Sequence, residues 1–310
     1  MDQRKERVLN RRDFTKALAF GIGAASLPVT SLWAEQQARR LVVGHTGITW
    51  GFAPEDAEGA IRDVGSLGYH GFESFGNVLE SWEQRGGLGQ VLEAANLPLR
   101  AAYCGVNLTN AAVRADEVAK IVRWGELIRK YGGTIAVIGP NGVQRSNYDF
   151  DANRANIVAA LNDIGMALMD VGVVGALHPH TGTCVETGEE SRAIMESVDS
   201  RHVKFGPDVG QLLKAGSDPV PIVRDLASIV HHVHMKDYDG GPDFLGYAPL
   251  GRGRLQVAEI ADILEGNGND CMIMVELDPN NGNRPLPITP LETARISKAY
   301  LQGLRYVFRS

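Results

Sequence analysis

The amino-acid sequence predicts an α/β protein folded as a (β/α)8 barrel. From Leu41 onward, short apolar runs alternate with longer amphipathic segments, the pattern of parallel strands joined by helices. Ionisable residues recur just after several of these runs, where such a barrel gathers its chemistry from distant sequence. A doubly wound open sheet is the competing architecture, but no GxGxxG follows the first apolar run to support a dinucleotide site.

Strands are expected at residues 41–44, 71–74, 99–104, 134–138, 174–178, 203–205, 229–234 and 272–277. Helices fit between them. Pro54 with Glu55 and Asp56 marks a helix start, and Ile61, Val64 and Leu67 recur on one face before the stop at Gly68. Residues 111–131 form a longer helix carrying Val118, Ile121, Val122 and Leu127, ended by Gly132-Gly133; residues 153–170 repeat the design through Ile157, Leu161, Ile164 and Leu168. Residues 290–308 close the chain as a helix, and the Pro-, Gly- and Asn-rich stretch 280–290 reads as a long loop over the barrel. The number of units suits a barrel of about 250 residues.

Residues 1–34 read as an address. Asn10-Arg11-Arg12-Asp13-Phe14-Thr15-Lys16 resembles the twin-arginine export signal, and a weakly apolar stretch precedes Ala34, so a periplasmic protein with one domain over residues 35–310 is expected. No mature segment approaches the about 20 consecutive apolar residues of a membrane span. The net charge of −6 argues against tracking a nucleic-acid backbone and makes small neutral or weakly charged substrates the easier expectation, among which the site chemistry read below points to a carbohydrate; a homo-oligomer is compatible with this reading. Cys104, Cys184 and Cys271 show no paired spacing and are read as isolated buried residues.

The chemistry centres on Leu177-His178-Pro179-His180-Thr181-Gly182-Thr183, where alternation sends both imidazoles to one face. Glu73, Asp208, His234 with Lys236, and Glu276 stand at other strand ends. Any one of these alone is more often a hydrogen-bonded structural residue; their shared register points to a metal site. Imidazoles mixed with carboxylates suit Mn, Co, Zn, Ni or Fe(II) better than Mg.

Several motifs together resemble the xylose-isomerase-like TIM barrels, the sugar phosphate isomerase/epimerase group that includes inosose dehydratase and endonuclease IV. These are Gly68-Tyr69-His70-Gly71-Phe72-Glu73, the His178-Pro179-His180 run with Glu186-Thr187, Asp208-Val209-Gly210, His234-Met235-Lys236-Asp237, Leu250-Gly251-Arg252-Gly253 and Val275-Glu276-Leu277-Asp278. The resemblance implies a divalent ion on His178, Asp208, His234 and Glu276. His178 stands where relatives usually place Glu, as in the inosose-dehydratase branch, and His180 remains the alternative ligand. Gln211 replaces a common sixth-strand His, and Leu245-Gly246-Tyr247 replaces the Asp-x-His of endonuclease IV, which sets DNA repair aside.

The expected activity is a metal-dependent lyase or dehydratase acting on a keto-polyol or 3-keto-sugar through an enediolate. Glu73, His180 and Lys236 are the candidate acid–base residues, and Trp50, Gln211 and Arg252 the candidate substrate contacts. An isomerase or epimerase shares the first half of that chemistry and is the alternative; a non-catalytic sugar-binding protein is the third reading.

Overall fold

The computed structural model describes residues 38–280 and 285–310; the export-signal expectation for residues 1–34 lies outside them. Residues 38–310 pack as one unit. Its centre is a parallel sheet of β1 (Val43–Thr46), β2 (Phe72–Phe75), β3 (Leu99–Val106), β4 (Ile135–Pro140), β5 (Val174–Leu177), β6 (Val203–Phe205), β7 (His232–Met235) and β10 (Met272–Val275). The strand order β6-β5-β4-β3-β2-β1-β10-β7 is that of a barrel. It closes through parallel bridges Phe205 to Val230 and Asp208 to His234, and through the His234 amide donating to the Pro207 carbonyl at 2.9 Å. The expected α/β (β/α)8 barrel is the observed fold.

The helices cover the barrel by the logic of their sequences. In α1 (Asp56–Ser66), Ile61 and Val64 are buried and two acids, Asp56 and Glu58, occupy the first turn. Two short helices, α2 (Gly76–Glu83) and α3 (Gly89–Ala94), connect β2 to β3. The long helix α4 (Arg114–Lys130) has Asp116 and Glu117 in its first turn and Arg129 and Lys130 in its last, matching the helix dipole. In α5 (Phe150–Asp170) the Asp149 side chain caps Ala152, and Ile157, Leu161, Ile164 and Leu168 are all buried, as the periodicity requires. A Thr187–Glu190 capping box starts α6 (Gly188–Met195). After α7 (Val209–Lys214) and α8 (Pro219–Leu226) come α9 (Val257–Gly266) and α10 (Pro290–Gly303). All three cysteines are buried and free.

Three local expectations shift. The first strand begins at Val43 because Arg40 and Leu41 offer their amides to the Glu265 carboxylate instead of to a neighbouring strand. The seventh begins at His232, since residues 227–229 wind into a 3-10 turn. The last helix stops at Gly303, and the chain beyond it folds back until the Arg309 amide reaches the Gly68 carbonyl at 2.8 Å. A small antiparallel hairpin, β8 (Asp237–Tyr238) with β9 (Tyr247–Ala248), follows β7.

Candidate active site

Alternation along β7 sets out the site in tiers. His232, His234 and, one step past the strand, Lys236 lie two residues apart on one face and are all buried. Across the barrel, Glu73 on β2 meets the lower tier: its Oε2 accepts from His232 Nε2 at 2.6 Å, and its two oxygens lie 2.8 and 3.0 Å from His234 Nε2. Burial alone would raise the Glu73 carboxyl, but His234 and His232 outweigh it and hold it below its ordinary value.

The middle tier gathers His178, Asp208 and His234, whose ligand atoms lie within 4.8 Å of one another. His178 follows β5; its Nδ1 is 3.1 Å from the Gly206 carbonyl, which makes Nδ1 the donor and leaves the Nε2 lone pair facing Asp208 Oδ2 at 3.6 Å. Burial, then His234, push the His178 imidazole well below its ordinary value, so it is neutral. Asp208 caps α7, its Oδ1 accepting from the Gly210 and Gln211 amides at 3.0 and 2.9 Å. A Cβ at Gly210 would stand 2.4 Å from Lys236 Cγ, so glycine is required for this helix start to sit against β7.

In the upper tier Lys236 Nζ lies 2.5 Å from Glu276 Oε1, 2.6 Å from Asp278 Oδ2 and 2.9 Å from Asp208 Oδ2. Burial opposes the ammonium, but Asp208, Asp278 and Glu276 together hold the Lys236 pKa well above its ordinary value. Asp237, the next residue, is structural: its carboxylate accepts from the amides of Gly251, Gly253 and Leu255 and so ties the Leu250-Gly251-Arg252-Gly253 turn to the hairpin.

The donor set fits a divalent cation. Asp208 Oδ2 and His234 Nδ1 are buried and make no hydrogen bond of regular geometry; each has only an ionic neighbour, Lys236 Nζ at 2.9 Å from the first and Glu276 Oε2 at 2.9 Å from the second. Asp208, Glu276 and Asp278 place three buried carboxylates around a single lysine, and Glu73 adds a fourth against the imidazoles of β7. Burial works against charge on His234, yet Glu276 and Glu73 hold its pKa well above the ordinary value, so that the cluster draws positive charge to itself. Crowded buried carboxylates in a low dielectric are what a metal ion would help to neutralise.

The candidate substrate and acid–base residues separate. His180 is half-buried beyond His178; its Nδ1 faces the Thr181 carbonyl at 2.9 Å and its Nε2 is 2.7 Å from the Gln211 amide nitrogen. Gln211 therefore adjoins the cluster. Trp50 is engaged elsewhere, donating its indole N–H to Asp63 at 2.8 Å, and Arg252 is exposed on its turn. His232, Asp278 and Tyr247 adjoin the site without having been singled out in the sequence. His232 and Asp278 carried a usable signal, each lying two residues from a candidate ligand on an alternating stretch. Tyr247 carried none, because the hairpin sets its place.

The chain belongs to the xylose isomerase-like TIM barrel family, whose model matches residues 61–302. Among its relatives is an inosose dehydratase of Clostridium botulinum, 25% identical over 271 residues that span 79% of this chain and 88% of the relative. D-psicose 3-epimerase of Clostridium cellulolyticum, solved with D-tagatose, superposes with a TM-score of 0.72 at 18% identity, covering 87% of this chain and 100% of that one. A xylose isomerase-like barrel protein of Mycobacterium smegmatis, in complex with magnesium, superposes with a TM-score of 0.66 at 16% identity over 86% and 97% of the two chains.

Proposed function

We propose that this protein is a sugar-modifying enzyme, specifically a divalent-metal-dependent dehydratase of a keto-polyol or keto-sugar. The observation that carries the reading is the buried His178–Asp208–His234 cluster, with two ligand atoms that make no hydrogen bond of regular geometry, and the similarity to inosose dehydratase supports the reaction class. His178 Nε2, Asp208 Oδ2, His234 Nδ1 and Glu276 Oε2 would hold the ion. When bound, it supplies a Lewis acid for the carbonyl oxygen, with Mn, Co, Zn, Ni or Fe(II) preferred by the mixed donors.

The remaining residues handle protons. Glu73 has both oxygens committed to imidazoles, which suits it to hold His234 in place rather than to act as the base. His180, whose Nδ1 faces the Thr181 carbonyl and whose Nε2 therefore carries the lone pair, takes the proton on carbon next to the carbonyl. The electron pair released forms the carbon–carbon double bond as the neighbouring C–O bond breaks, and Lys236 Nζ delivers the proton with which the oxygen leaves as water. Reaction in D2O tests this. An unsaturated product lacking one water supports the dehydratase; a deuterated isomer or epimer with all its oxygens identifies the epimerase chemistry of the structural neighbours instead. Export by a twin-arginine signal belongs to the same proposal and is tested by fractionating cells that express the full chain.

Glu73→Gln is expected to weaken divalent-ion affinity about 10- to 100-fold, because the amide cannot accept from two imidazoles at full strength. Metal titration by calorimetry measures it, and unchanged affinity with abolished turnover would return Glu73 to the role of base.

A further inference from the structure

We propose that the Tyr247 hydroxyl is a substrate-binding group, donating a hydrogen bond to a hydroxyl or carbonyl oxygen of a polyhydroxylated keto substrate. The proposal rests on the dehydratase reading above and adds a recognition residue to it.

The hairpin that carries Tyr247 is built against conformational preference. Phe244, Leu245 and Gly246 follow one another at φ 50°, 60° and 91°, in the left-handed region that Phe and Leu disfavour. Such backbone persists only where its surroundings over-determine it. Here Lys214 Nζ donates to the Leu245 carbonyl at 2.9 Å, Asn280 Oδ1 accepts from the Phe244 amide at 2.5 Å, and the Asp239 and Gly240 amides both donate to the Gly246 carbonyl. The tip is thus anchored from α7 and from the segment after β10. The residue delivered next is Tyr247, paired with Tyr238 in the hairpin.

Tyr247 is 2% exposed and packs with Phe244 and Leu277. Apolar packing explains its ring and not its oxygen: the hydroxyl is buried beside the Thr181 side chain and makes no hydrogen bond of regular geometry. Phenylalanine would fill the same space without leaving a polar group unsatisfied. The neighbouring Thr181 hydroxyl gives its proton to Gln211 Oε1 at 2.5 Å, so toward Tyr247 it can only accept and the phenol is left in the donor role. The ammonium groups of Lys214 and Lys236 each lie 4.6 Å from the centre of the Tyr247 ring, which polarises the phenol toward donation. Lys236 also contacts Asp208 and Glu276, so the orphan hydroxyl belongs to the same polar cluster as the candidate metal ligands. A neutral oxygen of a polyol or ketone is the partner that such a donor accepts without adding a charge.

The test compares wild type with Tyr247→Phe in the metal-loaded full chain. Turnover is measured on a panel of keto-inositols and ketohexoses, calorimetric binding on myo-inositol as the unreactive analogue, and metal content and thermal unfolding on both proteins. The proposal expects myo-inositol binding and kcat/KM to fall about 10- to 100-fold, with metal content unchanged and the melting temperature equal or higher. A fully active wild type whose variant binds and turns over within twofold of it overturns the assignment of Tyr247 alone. Parallel loss of metal, stability and activity in the variant also overturns it, by showing a structural role. A wild type that neither binds nor converts any member of the panel overturns the dehydratase reading and this inference with it.

Discussion

Asp208→Asn is expected to strip the site of its divalent ion and to lower turnover of the keto substrate about 10³-fold, while the fold survives. The two oxygens of Asp208 have separate duties. Oδ1 caps α7 through the Gly210 and Gln211 amides, and an Asn side chain keeps an acceptor there. Oδ2 makes no hydrogen bond of regular geometry and faces Lys236 Nζ at 2.9 Å and His178 Nε2 at 3.6 Å. Asparagine puts an N–H donor in that place, where a cation needs an anionic oxygen. Loss of a Lewis acid removes several kcal/mol of stabilisation for charge developing on the carbonyl oxygen. About 4 kcal/mol of that corresponds to the expected rate loss. Alanine would be the poorer variant, since losing the cap itself costs about 0.5–2 kcal/mol and would confuse stability with chemistry. Elemental analysis of the purified variant, with kcat/KM and a thermal melt, measures the outcome. Stoichiometric metal retained by Asp208→Asn would remove Asp208 from the ligand set.

The order of strands was legible because parallel strands buried on both faces read as apolar runs, and the helices between them showed a clean apolar face, as in the Ile157, Leu161, Ile164, Leu168 series. Family membership was legible for the same reason, in motifs fixed to strand ends. The neighbourhood of His178, Asp208 and His234 followed from register alone, since residues at the same end of parallel strands must converge. What each neighbour does there was hidden, because partners are set by pairings between distant strands. Glu73 was legible as a strand-end carboxylate, but nothing local shows that two imidazoles of β7 occupy its oxygens. Trp50 and Arg252 sit near motif residues in sequence, yet one is held by Asp63 on α1 and the other points from an exposed turn. The hairpin was the hardest part to foresee: Phe244 and Leu245 at positive φ contradict their local propensity and are held only by tertiary contacts.

Lys236→Met is expected to destabilise the metal-free protein by about 3–5 kcal/mol, the cost of leaving a buried charge without its partner. Methionine preserves much of the aliphatic stem, so the loss falls on the ammonium and its contacts to Glu276, Asp278 and Asp208, all three of them buried. The pH dependence should steepen as well. In wild type, burial would raise the Glu276 carboxyl, but His234 and Lys236 hold it well below its ordinary value; its stabilising contribution is present above the unfolded pKa and is lost as pH falls through the folded one. Asp208 is already raised, by burial first and also by Glu276, against the lowering effect of Lys236. With Lys236 gone it rises further, and a raised carboxyl gains stability as pH falls, so acidification from pH 7 toward 5 should steady the metal-free variant more than wild type. A divalent ion at 100 times a protein's own dissociation constant returns about 2.7 kcal/mol to it, so one fixed ion concentration returns more to whichever protein binds it more tightly. Urea unfolding in chelator and in excess Mn2+, across that pH range, separates these effects. If Lys236→Met is as stable as wild type in chelator, the three carboxylates do not depend on the ammonium for their burial, and Lys236 is left with the proton-delivery role alone.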